Sequence, residues 1–331
     1  FLGACLTGRG KPPAEAAGGF STELLSYLKA KGMPPEDYVV SAFKDHDIVL
    51  LGEHHFIKHD VEFVQGLIPL LYRNGITDIG IEFGCYEFQA EADALLQAEA
   101  YDEGRARQLM FKWASYWPYA EYLDLYRKAW ELNRGLPPGA PRFRIVGLDY
   151  RARWDLLRES MTPALWRQVF FDGTRDSHMA RTVVQEFVGK GKKALVYAGQ
   201  HHAFTRFHAP EFDRQTGKLV RLNDETMGNL VYGEIGSRAF NICLHYPWSV
   251  VNPAKKHDYP LDGAIDRVMK DYEPRRVGFN VGDSPFARLG DKDSEYAQGR
   301  RTFAFADFCD GYVVLKPFRE YEGCTVDPLF I

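Results

Sequence analysis

The chain has 331 residues, of which 45% are hydrophobic, 26% charged and 14% aromatic. Its 23 Phe, 18 Tyr and 6 Trp can bury far more apolar surface than a disordered chain carries, so a folded body with a large core is expected. Lys and Arg total 41 against 45 Asp and Glu, a net charge of −4 that argues against nucleic acid as a partner. The five cysteines (Cys5, Cys85, Cys243, Cys309, Cys324) are odd in number, far apart and never in CxxC spacing. A disulfide-stapled or zinc-ribbon fold is therefore excluded, and the thiols read as free core residues. No apolar run approaches the roughly 18 residues that a transmembrane helix needs.

In chain order, Phe-Leu-Gly-Ala-Cys (1–5) resembles the end of a bacterial lipoprotein signal, with Cys5 as the lipid-anchored residue and Leu6 to Gly19 as a tether. The competing reading is an ordinary flexible N-terminus, and residues 1–20 form a flexible segment under either. Ser21 is expected to cap a helix ending near Gly32, with a second helix from Pro34 to about Lys44. Residues 47–53 (DIVLLGE) read as a buried parallel strand, followed by a helix from about Asp60 to Arg73. The unit recurs: strands at 77–83, 142–149, 193–199 and 239–245 alternate with helical stretches, and 276–281 and 311–316 read as edge strands. Such alternation predicts an α/β fold, a mostly parallel central sheet with helices on both faces. Residues 21–331 read as a single α/β domain. A helical insertion at about 86–135, broken near Trp117-Pro118, is expected to form a cap or side lobe.

Ligands of open α/β sheets bind where strands end at their carboxyl side. There the sequence places Gly52-Glu53-His54-His55, then Glu82, then Asp149 with Arg151, and finally Gly199-Gln200-His201-His202 with Arg206 beyond. A single acid at such a position is most simply a helix N-cap, and a single His an ordinary loop residue. The joint pattern is more telling, because Gly-x-x-His occurs twice, each time directly after an apolar strand. Glycine is expected to free the backbone for a sharp turn there. Two chemistries use such a set. Glu53, His55, Glu82 and His202 could ligate a divalent ion such as Zn or Mn that activates water. Alternatively a His–Glu pair is a general base without metal, with Arg151, Arg175 or Arg206 stabilising an oxyanion. Arg175-Asp176, opening a later helix, reads equally as an acidic N-terminal turn or as a pair supporting the His residues. Nucleophile elbow, HExxH, P-loop and dinucleotide motifs do not occur.

LLGEHHF (50–56), GIEFG (80–84), GLDYR (147–151), RDSHMA (175–180) and YAGQHHAF (197–204) fall in one order and strand context. Over roughly residues 45–245 the chain thereby resembles the clan of erythromycin-esterase-like hydrolases, Tiki/TraB metal-dependent peptidases and ChaN-like haem-binding lipoproteins. By that resemblance Glu53, His55, Glu82 and His202 match active-site or metal-site positions, and Asp149, Arg175 and Asp176 match accompanying polar ones. The spacing of His55 from Gly52-Glu53 is closer to the Tiki and ChaN pattern than to the esterases. His54 and His201 are the alternative members of the two doublets, and with Asp149, Arg151 and Arg206 they are candidate cofactor contacts. The expectation is a hydrolase of a small-molecule or peptide ester or amide, with a haem carrier using His or Tyr as axial ligand as the alternative. Residues 250–331 match no known pattern.

Overall fold

A computed structural model describes residues 18–113, 117–213, 216–249 and 259–330. The lipoprotein-like start, Cys5 included, lies outside these residues. The strands are β1 (Ile48–Glu53), β2 (Asp78–Cys85), β3 (Arg144–Asp149), β4 (Ala194–Gly199), β5 (Ala209–Phe212), β6 (Leu219–Asn223), β7 (Ala239–Leu244), β8 (Val277–Asn280) and β9 (Gly311–Val314). Seven of them form one sheet in the order β3-β2-β4-β1-β7-β9-β8. Every pairing in it is parallel except the edge pair of β8 with β9. Among the described residues no helix is long and apolar enough to cross a membrane.

The helices cover both faces because the chain reverses its direction of travel. From β1 through β2 to β3 it moves one way, by the helix Lys58–Arg73 and then the helices Gln89–Gln97, Glu103–Trp113 and Ala120–Gly135. From β3 through β4 to β7 it returns, by the helices Arg175–Glu186 and Met227–Ile235. Right-handed crossovers in opposite directions fall on opposite faces of a sheet. Strand alternation then divides the core. Val49 and Leu51 pack with Val61, Val64 and Leu67 on one face, whereas Ile48 and Leu50 pack with Met179, Val183 and Val231 on the other.

The helices between β2 and β3 pack into the core on one face of the sheet. Leu95, Leu109, Leu123 and Tyr126 bury themselves against Ile79, Ile81 and Ile145, which brings the Trp117–Tyr122 turn over the end of β1. Two local expectations change. The first helix is Gly18–Lys31, so Ser21 lies inside it. No strand was expected between 199 and 239, but β5 and β6 form an antiparallel hairpin there, whose sequence APEF…LVRLN is largely exposed and lacks a clean apolar face.

Val49 is fully buried and Ile81 only 1% exposed, in the core cluster that also holds Val61, Val64 and Leu67. Val49→Ala or Ile81→Ala should each cost roughly 1–4 kcal/mol through lost burial and cavity formation, read as a lower urea midpoint at unchanged slope. An unmoved midpoint would contradict their place in the core.

Candidate active site

The site lies where β3, β2, β4 and β1 end side by side, so four strand termini deliver polar side chains to one rim. Glu82 is its centre. The pairing of β2 with β3 breaks register between Ile81 and Cys85, and Glu82 sits in that irregular stretch, only 2% exposed. Its Oε1 accepts from Arg175 Nη2 at 3.0 Å and lies 3.4 Å from His202 Nε2. Its Oε2 accepts from the Gly199 backbone N–H at 2.8 Å and lies 3.9 Å from His55 Nε2.

Each side chain around Glu82 is held by a further acid. His55 donates from Nδ1 to Glu53 Oε1 at 2.8 Å, which fixes the ring with Nε2 towards Glu82. His202 likewise donates from Nδ1 to Asp176 Oδ1 at 2.7 Å, and the same oxygen accepts from the Met227 backbone N–H. Arg175 donates from Nε to Asp149 Oδ2 at 2.7 Å. Thr174 caps the helix Arg175–Glu186 through its side chain, so Arg175 and Asp176 occupy the first turn and reach the rim together.

These charges reset the proton affinities. Burial pushes the Glu82 carboxyl up, but His202, His55 and Arg175 outweigh it and hold the group well below the usual carboxylate range. Burial would lower His202, yet Glu82 and Asp176 push it up to about 10. His55 also ends above its ordinary value: burial lowers it, and Glu82 and Glu53 together outweigh that. His202 is thus an imidazolium at neutral pH. Both rings are reachable, with side chains 30% exposed for His55 and 19% for His202.

The structure settles which member of each doublet faces the rim. His54 is exposed beside Tyr246, and His201 turns towards Phe204 and Tyr296. Arg206 is not part of the rim, because its guanidinium pairs with Asp310 at the start of β9. Arg151 is exposed beyond the end of β3, and the arginine beside Glu82 is Arg175. Sequence reasoning missed Tyr122 and Tyr197, whose hydroxyls both donate to Glu53, the former at 2.6 Å. It also missed Trp117, which meets the His55 ring edge-on at 4.7 Å. Tyr197 had a readable signal: it pairs with Leu51, on the strand face that Glu53 shares. The glycines serve space rather than an unusual turn. Gly199 has φ −54°, open to any residue, but a Cβ there would lie 2.6 Å from His55 Cε1.

The donor set fits a divalent metal poorly. Both oxygens of Glu53 and of Glu82 already accept hydrogen bonds, and the Arg175 guanidinium sits where it would repel a second cation. Among the described residues no group of three or more His, Cys, Asp or Glu side chains is arranged to hold a metal ion. What the arrangement can do is proton chemistry, with one carboxylate-oriented imidazole as base and a second, charged one as acid.

No family model matches the chain, and no curated protein matches it either. Solved structures do. A succinoglycan biosynthesis protein superposes with TM-score 0.61 at 10% identity, over 94% of this chain and 100% of its own. A Bacillus cereus protein gives 0.60 at 12% identity, over 93% and 99%. An erythromycin esterase gives 0.52 at 15% identity, over 88% and 94%. At such identities the likeness is one of fold, and it agrees with the resemblance carried by the five motifs.

Proposed function

We propose that the chain is a hydrolase of an ester or amide bond that activates water with His55 and needs no metal. The observation that supports this reading is the pair of carboxylate-oriented imidazoles, Glu53–His55 and Asp176–His202, turned on the one buried carboxylate of Glu82. His55 Nε2 takes a proton from water while the hydroxide adds to the substrate carbonyl carbon. The His202 imidazolium faces the developing oxyanion and then gives its proton to the departing alkoxide or amine. The proton gained by His55 passes to His202, directly or by solvent, and restores both groups. The fold shared with an erythromycin esterase is consistent with this chemistry, and the substrate is a small molecule or a peptide.

Hydrolysis of p-nitrophenyl acetate and of a peptide library tests the reading. Turnover should survive dialysis against a chelator and fall at least 100-fold in His55→Ala. The melting temperature should shift by no more than a few degrees, since a partly solvated side chain has little packing to lose. Stoichiometric haemin binding with a Soret band, lost in His55→Ala or His202→Ala and without any turnover, would overturn the hydrolase in favour of a haem carrier.

The pH profile follows from the two imidazoles. The base must be neutral, so activity should fall as pH drops through the His55 value, which lies above the ordinary 6.5. The acid must be charged, so activity should fall again as pH rises through about 10, where His202 loses its proton. His202 also links fold to pH. Its raised value contributes stability that is full below 6.5 and gone above about 10, so wild type should lose stability across that range, whereas His202→Gln should be less stable at neutral pH and flatter with pH. A rate that rises steadily through pH 11 would contradict the assignment of His202.

A further inference from the structure

The end of the described chain does something the motifs did not foresee. Residues 321–327 run across the outside of the site and tie together two segments distant in sequence. On one side lies the turn that follows β1, where Cys324 N–H donates to the Phe56 carbonyl at 2.9 Å and Lys58 N–H to the Glu322 carbonyl at 3.0 Å. On the other lies the entry to the helix Ala120–Gly135, where Ala120 N–H donates to the Thr325 carbonyl and Asp327 N–H to the Pro118 carbonyl, both at 2.9 Å.

Side chains lock the same strap. Glu121 is 6% exposed, and its carboxylate accepts from both the backbone N–H and the hydroxyl of Thr325, each at 2.8 Å. Asp327 is 4% exposed and takes two donors from Arg107, Nε at 3.0 Å and Nη2 at 2.8 Å. These are charge-assisted bonds to the buried carboxylates of Glu121 and Asp327, the kind that holds a geometry.

The two tied segments meet at Glu53. One carries His55, and the other carries Tyr122, whose hydroxyl donates to Glu53 and accepts from the Phe56 N–H at 3.2 Å. Phe56 itself is held at φ +72°, a conformation a bulky side chain adopts only under constraint. We infer that Thr325, Glu121 and the Arg107–Asp327 pair are positioning residues, a C-terminal strap that fixes the Glu53–His55–Tyr122 cluster in its reactive geometry. The inference rests on the hydrolase reading for its kinetic consequence, not for its structural one.

The strap predicts a rate effect on a folded protein. A misplacement near 1 Å at reacting groups costs up to about 100-fold, so Thr325→Val with Asp327→Asn should lower kcat roughly 10- to 100-fold with KM nearly unchanged. Thr325→Ser, which keeps the hydroxyl, should hold wild-type kcat. Amide hydrogen exchange gives a readout that needs no turnover: in the double variant the Phe56, Lys58 and Ala120 amides should lose protection while β4 amides keep theirs. Unchanged protection at those three amides would overturn the strap whatever the activity. Lost protection with unchanged kcat would overturn its positioning role. If even the wild-type protein turns over no ester or peptide, the hydrolase reading fails, and the exchange result alone still decides whether the strap holds these segments. Should the double variant not fold, Thr325→Val alone carries the same comparison.

Discussion

A carboxylate almost wholly removed from water sits at the centre of this molecule. Burying Glu82 as an anion carries a large desolvation cost, and it is offset by Arg175, by the His55 and His202 rings and by the Gly199 N–H. None of those partners stands alone. Arg175 is anchored on Asp149, His202 on Asp176 and His55 on Glu53, so charge alternates outward through two shells. The arrangement works only if four strand ends and the first turn of the helix Arg175–Glu186 are placed together. The sheet order β3-β2-β4-β1, in which the chain doubles back to insert β4, supplies that placement.

The same network sets the proton affinities. A carboxylate flanked by two imidazoles and a guanidinium raises both imidazoles, but His202, facing both Glu82 and Asp176, holds its proton to about 10. Both histidines of this motif type are thus held above the ordinary imidazole value, each by Glu82 and one further acid. Both oxygens of Glu53 and of Glu82 already accept hydrogen bonds, and the Arg175 guanidinium lies beside Glu82, so the centre of the site carries its own counter-charge.

Much of this was legible in the chain. All seven strands of the sheet were readable because short apolar runs ending at Gly and charge are how buried parallel strands appear. Residues 311–316 were expected at an edge, whereas β9 lies between β7 and β8 and the edges are β3 and β8. The acids and imidazoles at the strand ends were expected from where such sheets bind ligands. The doublets His54-His55 and His201-His202 were not resolvable, since facing depends on the path of the turn and not on residue type. Tyr122, Trp117 and the strap at 321–327 were invisible for a different reason. Their partners lie far along the sequence, 204 residues for Glu121 and Thr325 and 220 for Arg107 and Asp327, and no local period announces such contacts. The glycines of the two Gly-x-x-His segments were found but misread: a sharp turn was expected, whereas Gly199 yields room for the His55 ring.

The central claim, that an anionic Glu82 governs both imidazoles, is tested most directly by following the ring resonances of His55 and His202 by NMR across pH. The account predicts His202 titrating near 10, His55 titrating above 6.5, and both values dropping in Glu82→Gln. Two rings that titrate at or below 6.5, or that do not respond to Glu82→Gln, would contradict it.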